Sequence, residues 1–236
     1  MNSLFKNKRI LLVVAHPDDE LLGLGATMNK LITDYSCFVR VVILGEGITS
    51  RSDKRDLVKY KEELVIHKQN IKDAQVSIGY QELSVHDFPD NRFDTVALLD
   101  IIKIIEKEKN VFNPEIIFTH HGGDVNIDHQ RTFEAVITAT RPMQNEKVKT
   151  IITFETPSGT EWIASTDPRK FNPNLFIEVS KENIFTKIKG MESYEFEKRK
   201  YPHPRSPEAL EIQGKRWGVA IGVEYAEAFC IVRTVI

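Results

Sequence analysis

Two hydrophobic patterns alternate along the first two thirds of the chain. Continuous β-rich apolar runs occupy residues 9–15, 38–45, 83–88, 115–119 and 149–154 and predict strands. Between them, residues 20–34, 53–77, 94–109 and 128–140 read as helices. In the second of these, Leu57, Tyr60, Leu64, His67, Ile71, Ala74 and Ile78 recur at steps of three and four, which puts them on one face. Strands this uniformly apolar are buried on both sides, so the pattern predicts α/β architecture: a single-domain, Rossmann-like, mostly parallel twisted sheet with right-handed crossovers and helices on both faces. Ligands of such sheets bind outside the carboxyl ends of the strands.

The last third differs. A Pro-containing loop over 155–174 leads to a strand at 176–179, helices over 182–199 and 206–217, and an apolar run to Ile236. Pro202, Pro204 and Pro207 interrupt the chain between those two helices. No repeat is visible and the linkers are short, so residues 1–236 read as one domain.

Charge and cysteine content narrow the function classes. The 32 basic and 34 acidic side chains leave a net charge of −2, without the basic surplus that neutralises a nucleic-acid backbone. Lys6 to Arg9 followed by Ile10 to Ala15 has the order of a signal peptide. That apolar run is shorter than the roughly 7 to 15 residues of a signal core or the roughly 20 of a membrane helix. It reads as a buried first strand, no transmembrane segment is expected, and the expected location is cytoplasmic. Cys37 and Cys230 are far apart inside apolar runs and read as core thiols.

Polar residues collect at two strand ends. The first strand runs into His16-Pro17-Asp18-Asp19-Glu20, and the fourth into His120-His121-Gly122-Gly123-Asp124-Val125-Asn126-Ile127-Asp128-His129. A helix N-cap accounts for part of each, with Asp18 or Asp19 capping the first helix and Asp128 capping a later one. Two imidazoles and a carboxylate meeting on one rim would leave coordination positions open, as a hydrolytic Zn²⁺ site requires. The H-x-D…H form also fits a non-haem iron oxygenase, but the alternating helices contradict the jelly-roll fold of those enzymes. Gly23 and Gly25 lack the third glycine of a dinucleotide fingerprint and read as close helix packing. His67 belongs to an apolar helix stripe, and His86 reads as a strand residue.

Ala15-His16-Pro17-Asp18-Asp19-Glu20 together with Asp124-Val125-Asn126-Ile127-Asp128-His129 resembles the PIG-L/LmbE family of zinc-dependent N-acetylglucosaminyl deacetylases. Phe88-Pro89-Asp90-Asn91, Phe171-Asn172-Pro173-Asn174 and Gly222 to Phe229 also look like family segments, so the resemblance spans nearly the whole chain. It implies that His16, Asp19 and His129 bind Zn²⁺ or another divalent transition metal, and that Asp18 is the general base. It further implies that a C-terminal histidine, here His203, steadies the oxyanion, and that the C-terminal third completes the active-site rim. Asp128 is a candidate partner for His129 or for the proton relay. Arg51, Asn126, His120 and Trp162 are candidate substrate contacts, with Trp162 suited to stacking on a sugar face.

The expected function is metal-dependent removal of an acetyl group from an N-acetylated amino sugar or its conjugate, giving acetate and a free amine. The rival expectation is a non-catalytic sugar- or metal-binding protein on the same fold. Monomer and homo-oligomer are both compatible with the sequence.

Overall fold

The computed structural model describes residues 2–236 and contains one seven-stranded sheet in the order β3-β2-β1-β4-β5-β7-β6. The strands are β1 (Arg9–Val14), β2 (Phe38–Gly45), β3 (Glu82–Phe88), β4 (Ile116–His120), β5 (Thr150–Phe154), β6 (Leu175–Glu178) and β7 (Ala226–Thr234). The first five pair in parallel, whereas β7 runs antiparallel to both β5 and β6. The helices are α1 (Asn2–Phe5), α2 (Asp19–Tyr35), α3 (Lys61–Ile78), α4 (Leu98–Phe112), α5 (Ile127–Ala139), α6 (Lys181–Met191) and α7 (Pro207–Ile221).

The alternation of side chains along β1 explains the two covering layers. Ile10, Leu12 and Val14 face a core shared with α2, α3 and α6, while Leu11, Val13 and Ala15 face one shared with α4 and α5. Successive strand residues point to opposite faces, so a strand that is apolar throughout needs helices on both. Strand order reverses at β1, whose neighbours are β2 on one side and β4 on the other. The crevice of a doubly wound sheet forms at such a point. The β1 and β4 ends carry the two polar motifs into it.

Besides α7, which runs on to Ile221 where an end at 217 was expected, three helix boundaries differ from the sequence expectation. Residues 53–60 precede α3 as turns because Asp56 Oδ1 accepts the amide N–H groups of Val58 and Lys59, at 3.1 and 2.9 Å. A side chain that serves nearby backbone donors competes with helix formation. Residues 192–199 leave α6, because Tyr194 turns inward to donate its hydroxyl to Glu20 and Glu197 pairs with Arg51 and Arg205. The third, α4, begins at Leu98 after a 3₁₀ turn that buries Phe93.

The first crossover helix is broken. Leu24 has φ −150° and ψ 26°, outside the helical region. Two distant side chains serve the backbone groups around the break: Glu227 Oε2 accepts the Thr27 N–H at 2.7 Å, and Lys187 Nζ donates to Leu22 O at 2.9 Å. Lys187 and Glu227 are themselves paired at 2.7 Å. Gly23 allows this close packing, since a Cβ there would lie 2.2 Å from the Phe154 ring. Among the described residues, no helix is long and apolar enough to cross a membrane.

Candidate metal centre

His16, Asp18 and Asp19 occupy the turn from β1 into α2, and Asp124, Asp128 and His129 the loop from β4 into α5. All six are buried, none more than 8% exposed. Asn126 caps α5 by accepting the Asp128 N–H at 2.8 Å, which starts the helix where His129 projects from its first turn. The Asp18 backbone takes the left-handed conformation, φ 96°, strained for a residue with a Cβ. Its side chain makes no cap hydrogen bond, so the N-cap expectation for Asp18 does not hold. The turn sends the adjacent carboxylates in different directions. Asp18 Oδ2 accepts from Arg205 Nη1 at 2.8 Å, whereas Asp19 Oδ2 accepts the His16 N–H at 2.8 Å.

Asp19 Oδ2 lies 3.4 Å from His16 Nδ1 and 3.4 Å from His129 Nε2. One ligand atom from each of the three residues falls within 4.8 Å of the others. Tetrahedral bonds of about 2.0–2.1 Å imply ligand separations of roughly 3.3–3.4 Å, so the set fits a first-row divalent metal. Nε2 of His129, the nitrogen that faces Asp19, is buried without a hydrogen-bond partner, as befits an atom whose partner is a cation. His16 Nε2 is engaged at 2.8 Å by Asp128 Oδ2, which leaves Nδ1 facing Asp19. Asp128 also accepts the amide N–H groups of Asn91 and Phe93, at 2.6 and 2.8 Å. Asp124 Oδ2 stands 3.2 Å from His129 Nδ1 and accepts from Thr160 Oγ1 at 2.7 Å. Each imidazole therefore has its own outer carboxylate, the arrangement that orients metal-binding histidines.

A second grouping of His16, Asp90 and Asp128 fits poorly. Asp128 is occupied by two amides and an imidazole, and Asp90 accepts from Ser50 and Asn91. Its oxygens already have donors.

The electrostatics favour positive charge where His16, Asp19 and His129 meet. Burial opposes protonation of His129, but Asp19 and Asp124 outweigh it and raise the pKa to about 9. Burial likewise opposes charge on His16, yet Asp128, Asp19 and Asp90 raise it well above the ordinary value. Burial opposes ionisation of Asp19, and the neighbouring His129 and His120 carry it the other way, well below the usual carboxylate range. Burial pushes Asp18 up, against the pull of Arg205.

The remaining candidates divide between a cleft of about 340 Å³ beside this centre and the protein interior. Arg51, Asn126, Trp162 and His203 line the cleft together with His16 and Asp18. Trp162 is 54% exposed and meets His203 edge-on at 6.2 Å. Arg51 is tied through Nη2 to Glu197, and Asn126 Nδ2 donates to Asn91 Oδ1 at 3.0 Å. His203 Nδ1 accepts the Arg205 N–H at 3.2 Å, so Nε2 carries the hydrogen. Burial and the neighbouring Arg205 and Arg199 lower its pKa, which favours the neutral ring.

Two expectations are corrected. His120 is fully buried off the cleft, stacked on the His129 ring at 3.9 Å. Its Nε2 accepts the Ala15 N–H at 2.9 Å and its Nδ1 meets Thr156 Oγ1 at 3.0 Å, so neither nitrogen is available to a substrate. Burial and the His129 charge hold its pKa near 4. Asp128 partners His16, and the carboxylate beside His129 is Asp124. Arg205, Glu197 and Ser158 at the cleft carried no motif in the sequence. Only their proximity to His203 pointed towards the first two.

Fold and site together define an α/β protein with a buried His/Asp cluster that could hold a metal ion at the switch point of its sheet. Residues 11–140 match the family described as PIG-L, GlcNAc-PI de-N-acetylase, and the chain belongs to that family. It is 26% identical over 199 residues to the uncharacterised deacetylase YaiS of Escherichia coli K12, covering 82% of this chain and 94% of that one. It is 28% identical over 144 residues to a probable N-acetyl-α-D-glucosaminyl L-malate deacetylase 2 of Bacillus cereus, covering 59% and 64%. Among solved structures it resembles the N,N′-diacetylchitobiose deacetylase of Pyrococcus horikoshii, with TM-score 0.70, 19% identity and coverage of 96% and 84%. It also resembles GalB, the 4-carboxy-2-hydroxymuconate hydratase of Pseudomonas putida KT2440, with TM-score 0.69, 18% identity and coverage of 97% and 98%. At that identity the structural likeness establishes the fold, and the reaction must be argued from the site.

Proposed function

We propose that the protein is a metal-dependent N-deacetylase that hydrolyses the acetamide of an N-acetylated amino sugar or its conjugate, with residues 1–236 acting as one unit. The observation that carries this reading is the meeting of His16, Asp19 and His129 beside a second carboxylate, Asp18, that points elsewhere. Deacetylase relatives within the family support the reaction class.

His16, Asp19 and His129 would hold the metal, with Zn²⁺ the best match to the ligand set. When bound, a metal of this kind polarises the amide carbonyl and acidifies water. Asp18 takes the proton from the attacking water, whose oxygen bonds to the carbonyl carbon. His203 donates from Nε2 to the oxygen that gains charge. The C–N bond then breaks, the proton held on Asp18 passes to the departing nitrogen, and acetate and a free amine result. Asp128 and Asp124 hold His16 and His129 in orientation. Trp162, Arg51 and Asn126 would meet the sugar and whatever is attached to it. Liberated acetate and free amine, measured over a panel of N-acetylated sugars and conjugates, test the reading; hydration of a double bond without acetate release would assign the site to the other chemistry known on this fold.

A further inference from the structure

Arg205 lies immediately before Ser206, the residue that caps α7 by accepting the Ala209 N–H at 3.1 Å. From there its side chain reaches Asp18 in the β1–α2 turn. Nη1 donates to Asp18 Oδ2 at 2.8 Å and to Glu197 Oε2 at 2.9 Å, and Nε donates to Ser158 Oγ at 2.7 Å. Asp18 is 2% exposed, and among the described residues its side chain has no other hydrogen-bond partner. Its Oδ1 is uncommitted, on a residue that lines the cleft.

We propose that Arg205 is a positioning residue for the reaction, fixing the carboxylate of Asp18 so that its free oxygen meets the attacking water. This rests on the reading of Asp18 as the general base. Glu197 and Ser158 hold the guanidinium from two sides, so its place does not depend on Asp18, whereas Asp18 has only Arg205. Glu197 is itself secured by Arg51, so removing the Arg205 side chain leaves that carboxylate paired and the segment anchored. A planar guanidinium can serve three acceptors from fixed directions; an ammonium on a flexible stem cannot reproduce that fork. A displacement of about 1 Å in a reacting group can cost about 10² in rate.

The test measures metal content, kcat and KM on the metal-loaded full chain for Arg205→Ala, Arg205→Lys, Asp18→Asn and the double variant Asp18→Asn/Arg205→Ala. Arg205→Ala should keep its metal and change KM little while kcat falls by about 10², and Arg205→Lys should recover only a small part. Added guanidinium ion at millimolar concentration should restore part of the lost kcat. In the Asp18→Asn background, Arg205→Ala should cost less than about threefold, because groups that act as a unit are not additive. Near-wild-type kcat in Arg205→Ala, or an equal loss in both backgrounds, overturns the proposal. So does a loss of metal that guanidinium does not relieve. Full activity in Asp18→Asn removes the base reading itself, and a wild type that releases no acetate overturns both readings.

Discussion

One backbone torsion sends two neighbouring carboxylates in different directions, and the roles proposed for them follow from it. With Asp18 at φ 96°, its carboxylate points to Arg205 while that of Asp19 faces two imidazoles. His16→Ala or His129→Ala should therefore abolish metal retention and activity together, read by metal analysis against about one ion per chain for the wild type. Asp18→Asn should keep the metal and lower kcat by about 10² or more, as loss of a general base does. Asp124→Asn should weaken metal affinity by about 10- to 100-fold, because the His129 ring loses its outer carboxylate. His203→Ala should lose about 10² to 10³ in kcat with metal intact, and a near-wild-type kcat would remove it from the reaction. The residue types at the centre were legible because they lie in two short runs at strand ends. Their outer partners were not. Whether Asp124 or Asp128 serves His129 depends on how α5 starts, and that follows from the Asn126 cap.

At the scale of the elements, the broken α2 ties the two ends of the chain together. Lys187 on α6 and Glu227 on β7 supply the donor and the acceptor that the break at Leu24 requires, and both are buried. Removing one partner of a buried pair strands the other charge and costs about 3–5 kcal/mol. Lys187→Met is expected to lose stability of that order in urea unfolding, and a loss below about 1 kcal/mol, the typical worth of a surface pair, would contradict the account. The strands were legible in sequence because continuous apolar runs have few alternatives. The ends of α3 and α6 were not, since Asp56 and Tyr194 end or delay those helices through contacts that periodicity does not report.

Across the whole molecule, burial of a neutral histidine couples stability to pH. His67 on α3 is 2% exposed with neither ring nitrogen hydrogen-bonded, and burial lowers its pKa to about 4. The unfolded chain binds this proton near the ordinary histidine value of about 6.5, so between about 6.5 and 4 the unfolded state holds more protons and stability falls as pH falls. His67→Leu should remove this contribution, flattening the decline of urea stability across that window by up to about 3 kcal/mol. An unchanged slope would show that the imidazole is not held neutral. The same C-terminal segment that covers His67 with Tyr194 and Phe196 carries Glu197, Arg199, His203 and Arg205 to the cleft, so site and stability share one element. The reaction proposed for the molecule is amide hydrolysis at the His16–Asp19–His129 centre. It is tested most directly by acetate release from N-acetylated amino-sugar conjugates by the purified protein as isolated, after chelation and after metal is returned. Equimolar acetate and free amine that vanish on chelation and return with metal are the predicted result; release that persists in metal-free protein, or none in metal-loaded protein, would contradict it.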